Sequence, residues 1–193
     1  MEEASKKINS YLTFELDQEV FAANVTNVIN ILEMTKITKV PKSPAYMKGV
    51  INLRGNVLPV IDTRLKFEME AAEITKNTCI LVLEVDIEGD HIQVGAIVDA
   101  VKEVIEIEPD DIKPPPSIGE KYKSEFITGV AEDNEGFIMI MDMNKVFSTA
   151  DVVSLRETIE KTDQEKPGET QKEDHEESGN QKSEAKKQKK KEK

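Results

Sequence analysis

The chain has 193 residues and carries 38 acidic against 26 basic side chains, which gives a formal net charge of −12. This charge argues against general nucleic-acid binding, which needs basic surface, and no apolar run approaches the roughly 20 residues that span a bilayer. Cys79 is the only cysteine, so no intramolecular disulfide can form, and residues 1–7 lack a signal-peptide pattern. We therefore expect a cytoplasmic protein without direct membrane insertion.

The first elements are short and mostly extended. Residues 12–16 alternate apolar and polar side chains, which predicts a half-buried strand, and residues 20–23 can pair back with it as a hairpin. Residues 25–32 change from helical to alternating spacing, which predicts a short helix running into a strand. Ser-Pro at 43–44 is typical of a helix start, and we expect that helix to end at Gly49.

The centre of the chain predicts a second hairpin. Residues 50–53 and 57–61 are apolar and flank Arg-Gly-Asn at 54–56, a tight turn that contains glycine. After it, the Asp-Thr pair at 62–63 can cap a short helix that continues to Phe67.

The rest of the body is richer in strand signals. Residues 79–85 and 92–98 are joined by a polar turn, and the pattern continues to residue 107. One more hairpin is predicted from 126–130 and 137–141, and its second strand is apolar on both faces, so we expect it to be central in its sheet. Many short strands at close spacing predict a barrel or a sandwich rather than a parallel sheet with crossover helices.

The composition changes near residue 159. The following residues are mostly Glu, Lys, Gln, Ser and Gly with no aromatic side chain, which cannot offset the entropy of ordering. We predict a folded domain over residues 8–158 and a disordered charged tail over residues 159–193, which ends in a lysine-rich stretch.

The sequence contains no recognisable catalytic or metal-binding pattern. It has neither a dinucleotide-binding glycine motif nor a phosphate-binding loop, and His91 and His175 have no second ligand at metal-binding spacing. Cys79 begins an apolar strand and is interpreted as a core residue. We therefore predict that the protein is not an enzyme and has no cofactor and no metal.

The central hairpin is the most promising binding surface. Ile51 and Leu53 share one face, so Asn52 and Arg54 project outward beside the turn if the first pair faces the core. Pro59 cannot donate a ladder hydrogen bond, which predicts a sheet edge at its strand. An exposed arginine beside an edge is a place where another protein could dock, although an ordinary exposed arginine near a turn explains the spacing equally well.

The same hairpin carries a family resemblance. The run over residues 44–62, which contains Gly-Val-Ile-Asn-Leu-Arg-Gly, closely resembles the central motif of the CheW family of bacterial chemotaxis coupling proteins. The similarity covers roughly residues 8–150. Its further matching segments are residues 14–16, 94–99, 127–130 and 138–142.

The resemblance implies both a fold and a role. The expected fold is mainly β, with two intertwined five-stranded SH3-like β-barrels around a shared core, a few short helices and a disordered C-terminal tail. The expected role is a non-catalytic adaptor that couples methyl-accepting chemoreceptors to the histidine kinase CheA in arrays at the inner face of the membrane. Its partners would be the receptor cytoplasmic tip and the regulatory domain of CheA.

The resemblance also implies site residues. Arg54 corresponds to a family arginine linked to receptor binding, supported by Asn52 and Gly49, and Val28 falls at another receptor-contact position. The family often has an acidic residue where this chain has Asn30, so no role is transferred there.

Two alternatives stay open from the sequence. A CheW-like protein could serve a receptor pathway other than chemotaxis, such as surface motility. A small β-barrel enzyme or ligand-binding protein is a third hypothesis, and it would need polar groups that converge in a pocket.

Overall fold

The computed structural model describes residues 9–87, 89–115, 126–133, 136–147 and 151. These residues form strands and short helical turns. The strands are β1 (Asn9–Leu16), β2 (Glu19–Asn24), β3 (Val28–Glu33), β4 (Met47–Leu53), β5 (Asn56–Asp62), β6 (Cys79–Ile87), β7 (Asp90–Val98), β8 (Ala100–Ile107), β9 (Ile127–Asp133) and β10 (Gly136–Met141). The helix α1 spans Thr63–Lys66, and 3-10 turns span Val25–Asn27, Pro109–Asp111 and Met143–Lys145.

The strands form two five-stranded mixed sheets. One has the order β8-β1-β2-β10-β9 and the other has the order β3-β6-β7-β5-β4. The second sheet is built from one continuous stretch, residues 28–98, which is inserted between the two chain segments that build the first. The two sheets are therefore intertwined along the chain, as predicted.

Among the described residues, one backbone pair closes each sheet. Thr38, five residues after β3, exchanges hydrogen bonds of 2.9 and 2.8 Å with Val50 on β4 at the opposite edge. Lys113, six residues after β8, does the same with Val130 on β9, with both distances 2.8 Å. We call the β1, β2, β8, β9, β10 unit barrel 1 and the β3–β7 unit barrel 2, and the predicted pair of five-stranded barrels is confirmed.

Three apolar cores follow from this arrangement. Strand β1 turns Leu12, Phe14 and Leu16 toward barrel 2 and Tyr11 into barrel 1, because alternate side chains point to opposite faces. The largest core lies between the barrels. Barrel 1 has a smaller core of Tyr11, Ala22, Ile107, Ala131, Ile138 and Ile140, and barrel 2 has one of Ile51, Leu58, Val60, Ile80 and Val82.

Most predicted elements are present. The turn over residues 25–27 runs into β3, and the Asp62 carboxylate caps α1 by accepting a hydrogen bond from Leu65 N–H at 3.2 Å. Strand β10 lies between β2 and β9, one place from the middle of its sheet. The predicted tail, residues 159–193, lies outside the described residues. Within the part of the chain that is described, no helix is long and apolar enough to cross a membrane.

The predicted helix ending at Gly49 is wrong. Only one turn forms, in which the Pro44 carbonyl accepts a hydrogen bond from Met47 N–H at 2.9 Å, and β4 then starts at Met47. Gly49 lies inside β4 with a φ of 143° because the closing segment at Thr38 runs directly against it. The glycine marks a close approach of two backbones rather than a helix end.

The predicted sheet edge at Pro59 is also wrong, since β5 lies between β4 and β7. The backbone N–H and C=O of Val50 both form hydrogen bonds with Thr38. The pairing of Val50 with Pro59 therefore contains no ladder hydrogen bond. The side of Pro59 that lacks N–H therefore faces β7, and the pairing with β7 begins only at Val60. The sheet edge is β4 itself, on the other side of the hairpin.

Candidate docking site

Arg54 lies at the tip of the β4–β5 hairpin in an unfavourable backbone conformation. Its φ is 53° and that of Gly55 is 92°, so both central residues of the two-residue turn are left-handed, as in a type I′ turn. Glycine and asparagine suit the first of these positions, whereas a long side chain there costs conformational energy. Such an outlier at an exposed tip is a reason to suspect a binding role.

The Asn52 side chain holds this turn. Its Oδ1 accepts a hydrogen bond of 2.8 Å from the Gly55 backbone N–H. Asn52 and Arg54 are exposed while Ile51 is buried and Leu53 half-buried, so the predicted alternation is confirmed. No carboxylate among the described residues lies within ion-pair distance of Arg54, and its guanidinium is open to a partner.

Gly49 contributes through the backbone. It is buried, and a Cβ at this position would overlap the Thr38 carbonyl oxygen and come within 2.9 Å of the Ile37 side chain. Because the glycine presents no surface of its own, it can affect binding only by keeping barrel 2 closed beside the hairpin.

Val28 lies on a different strand from the other three predicted site residues. It starts β3, at the opposite edge of the sheet from β4, and it is half-buried against the core between the barrels. The structure therefore places Asn52 and Arg54 on one hairpin and Val28 on another strand of the same sheet. Asn30 is occupied locally, since its Oδ1 accepts a hydrogen bond of 2.8 Å from Ile31 N–H.

Two neighbours of Val28 were not singled out from the sequence. Ile29 and Ile31 are 48% and 44% exposed on this edge strand, which is high for isoleucine. The sequence does indicate this exposure, because residues 25–32 contain more apolar side chains than one buried face of a strand needs. These side chains give the edge an apolar surface.

A polar cluster ties barrel 2 to barrel 1. The Arg64 guanidinium donates hydrogen bonds of 2.9 and 3.0 Å from Nε to the Asp99 carboxylate and one of 3.1 Å from Nη1 to Asp17. The Asp99 carboxylate also accepts a hydrogen bond of 2.8 Å from the Asp17 backbone N–H. The hydrogen bonds to Asp99 raise the pKa of Arg64. Helix α1 of barrel 2 is thereby fixed to the β1–β2 turn of barrel 1.

A second cluster holds residue 151. The Tyr46 hydroxyl donates a hydrogen bond to the Asp151 carboxylate, which also accepts one of 2.7 Å from Lys66 Nζ. Lys66 Nζ lies 4.6 Å from the centre of the Tyr46 ring. Burial, followed by the interaction with Asp151, raises the pKa of Tyr46 above its ordinary value. The cluster thereby fixes Asp151 to Tyr46 and Lys66 of barrel 2.

The remaining reactive and polar groups of the described residues can be placed individually. No group of His, Cys, Asp and Glu side chains there could hold a metal ion, and burial raises the pKa of the Cys79 thiol, which lowers its reactivity. A cavity of about 460 Å³ opens at the mouth of barrel 1. Its buried hydroxyl, on Thr13, donates to the Glu103 carbonyl at 2.8 Å and accepts from Glu103 N–H at 3.1 Å, so this group is already satisfied.

Comparisons with known proteins agree with this picture. The family model described as CheW-like domain matches residues 10–151. The chemotaxis protein CheW of Klebsiella aerogenes is 30% identical over 142 residues, which cover 74% of this chain and 83% of that protein. The chemotaxis protein CheW of Rhizobium meliloti is 34% identical over 136 residues, covering 70% and 85% respectively.

A solved structure shares the fold. The scaffolding protein TtCheW from Thermoanaerobacter tengcongensis superimposes with a TM-score of 0.65 at 30% identity, covering 75% of this chain and 96% of that one. The sequence similarity and the similarity in fold therefore cover similar shares of the chain.

Proposed function

The chain belongs to the CheW family and is a non-catalytic chemotaxis scaffold protein, and from this premise we propose that it couples methyl-accepting chemoreceptors to the histidine kinase CheA. Coupling would take place in the cytoplasm, in receptor arrays at the inner face of the membrane. The folded domain would span residues 8–158, and residues 159–193 would be a charged tail. The family match over residues 10–151 supports that division.

The proposed receptor contact rests mainly on the turn that contains Arg54. An exposed arginine with no carboxylate partner among the described residues occupies a turn position that disfavours it. A guanidinium binds carboxylates and carbonyls with defined geometry, so a bound partner can offset the local strain. Asn52 would act mainly by holding the turn, and Gly49 by keeping the barrel closed.

The β3 edge would supply the apolar part of the contact. Val28 is the family-matched position, and Ile29 and Ile31 extend it along the exposed edge strand. Apolar side chains at an interface supply binding energy, while the surrounding polar groups supply orientation. The regulatory domain of CheA would bind elsewhere, at another barrel edge.

Binding to a purified cytoplasmic hairpin fragment of a chemoreceptor from the same genome tests the proposal. The full chain should bind the fragment, and Arg54→Ala should weaken binding. Because the side chain is at a turn position that asparagine tolerates, Arg54→Asn is the sharper variant, since it removes the guanidinium without straining the turn. Lys76→Ala, on the exposed loop before β6, is a matched loss of one positive charge.

Unchanged affinity in a folded Arg54→Asn variant would remove Arg54 from the receptor site. Failure of the unaltered chain to bind any receptor fragment or the kinase would overturn the coupling function itself.

A further inference from the structure

The segment from residue 34 to residue 54 contains only positive charges. It has four lysines and one arginine and no Asp or Glu, although acidic side chains outnumber basic ones in the chain as a whole. One of these, Lys48, is paired with Asp62 at 2.9 Å. The other four, Lys36, Lys39, Lys42 and Arg54, are exposed, and we call them the basic strip.

The closing segment of barrel 2 brings one member of the strip, Lys36, next to the hairpin. Ile37 points into barrel 2, while its neighbours Lys36 and Thr38 are exposed. The antiparallel Thr38–Val50 pair fixes the register, and two residues outward from it Lys36 comes level with Asn52. Lys36 is thereby brought next to the hairpin that carries Arg54.

Two members of the strip project from turns. Lys42 has a φ of 62° in the turn that follows Pro41, and the Ser43 hydroxyl donates a hydrogen bond of 2.9 Å to the Val40 carbonyl there. Arg54 has a φ of 53°. Glycine or asparagine would be less strained at both positions, yet both hold long cations.

The basic strip has no carboxylate partners among the described residues, and exposed apolar side chains precede it along the chain. Among the described residues, no carboxylate lies within ion-pair distance of its four side chains, whereas Lys48, Arg64, Lys66, Lys102, Lys113 and Lys145 are all paired. On the β3 side, the chain leading into the strip exposes Ile29 and Ile31. The exposed isoleucines therefore precede the strip along the chain, with the exposed Glu33 between them and Lys36.

We propose that the basic strip docks a protein helix that presents carboxylates beside an apolar row. This inference rests on the proposed function and identifies that helix as the receptor tip. Opposite charges on the two surfaces would accelerate encounter and orient the complex, while the isoleucines would contact the apolar row. An extended polyanion is disfavoured, because the chain as a whole carries a net charge of −12, which repels it.

Charge reversal of the three lysines tests the strip separately from Arg54. The triple variant Lys36→Glu, Lys39→Glu, Lys42→Glu should lower the association rate constant with the receptor fragment by about tenfold or more. The same residues changed to Arg should retain binding. A tail variant, Lys186→Glu, Lys187→Glu, Lys189→Glu, changes the net charge equally and should leave the rate nearly unaltered.

Salt gives a second readout. Binding of the unaltered chain should weaken as ionic strength rises, because exposed charges are screened beyond about 10 Å at 0.1 M salt, and the triple variant should lose most of that dependence. Circular dichroism checks that the variants fold, and Lys36→Glu alone replaces the triple variant if it does not.

Equal association rates for the triple variant and the unaltered chain would overturn the inference while leaving receptor coupling intact. A receptor fragment that fails to bind the unaltered chain would instead overturn the proposed function. Binding to vesicles of phosphatidylcholine with phosphatidylglycerol tests whether the strip binds lipid instead. Strip-dependent vesicle binding with no effect on the receptor fragment would assign the strip to lipid and also overturn the inference.

Discussion

The carbonyl oxygen of Thr38 occupies the space that a Cβ on Gly49 would need. Thr38 is one member of the backbone pair that closes barrel 2, and Gly49 directly precedes the other member, Val50. Barrel 1 repeats the arrangement, because a Cβ on Gly129 would come within 3.0 Å of the Lys113 carbonyl oxygen beside the Lys113–Val130 pair. Each barrel thus closes where a segment outside the named strands runs directly against a glycine.

Gly49→Ala should destabilise the protein by about 2 kcal/mol, since the methyl group meets backbone and the positive φ adds strain. Urea unfolding measures the loss. Gly55→Ala is the matched control, because Gly55 also has a positive φ but has open space around its Cβ position. Equal losses for the two variants would show that the close approach to Thr38 is not what Gly49 provides.

Arg54→Asn should raise the free energy of unfolding by about 0.5 kcal/mol while it weakens receptor binding, because asparagine tolerates the left-handed turn and lacks the guanidinium. Denaturant unfolding and a binding titration on the same sample measure both effects. A variant that loses stability would indicate that the arginine makes stabilising contacts within the fold.

Asn52→Ala should lower stability by about 1 kcal/mol, since the Gly55 N–H loses its side-chain acceptor. Asn52→Asp keeps an acceptor at the same place and should preserve the turn, but it adds a negative charge beside Arg54. We expect it to fold normally and to bind an acidic partner more weakly. If Asn52→Asp and Asn52→Ala are equally unstable, the hydrogen bond to Gly55 is not the stabilising interaction.

Thr13→Val should cost about 2 kcal/mol, because it leaves both the Glu103 N–H and its C=O without the partner they have across a β-bulge. Thr13→Ser retains both hydrogen bonds and should cost distinctly less. Thermal unfolding compares the two variants, and a valine variant as stable as the serine one would contradict the assignment.

The burial of Tyr46, together with its hydrogen bond to Asp151, predicts a pH dependence of stability at alkaline pH. The folded protein raises the pKa of Tyr46, so above the ordinary tyrosine pKa near 10 it holds a proton that the unfolded chain has lost. This contribution to stability is complete below pH 10 and declines as the pH rises further. Tyr46→Phe should flatten the decline between pH 10 and 11 in urea unfolding, and Tyr11→Phe serves as the control. An unchanged slope in Tyr46→Phe would contradict the linkage.

Local sequence patterns predicted the strands and turns well because most of their determinants are local. Alternation placed Asn52 and Arg54 outward, and the Asp62 cap was recognisable from its position before α1. The prediction of two barrels and the proposal of a receptor site came from the family resemblance rather than from spacing.

The errors have non-local causes. Pro59 is tolerated inside a sheet because Thr38, twenty-one residues earlier, takes the hydrogen bonds of Val50 and so sets the ladder pattern of the hairpin. Local sequence predicts a helix end at Gly49, because the contact of Gly49 with the closing segment at Thr38 is not local. The basic strip likewise required the Thr38–Val50 register, which no local pattern specifies.

The interleaving of the barrels has a consequence for how the chain folds. Barrel 2 comes from a continuous segment, whereas barrel 1 must join β1 to β8, as in the Thr13–Glu103 hydrogen bonds between residues 90 positions apart. Closing so long a loop carries a larger entropic penalty and slows pairing. We therefore expect barrel 2 to form in the folding nucleus and to bring the two distant edges of barrel 1 together, so that ordering of barrel 1 is the slow step.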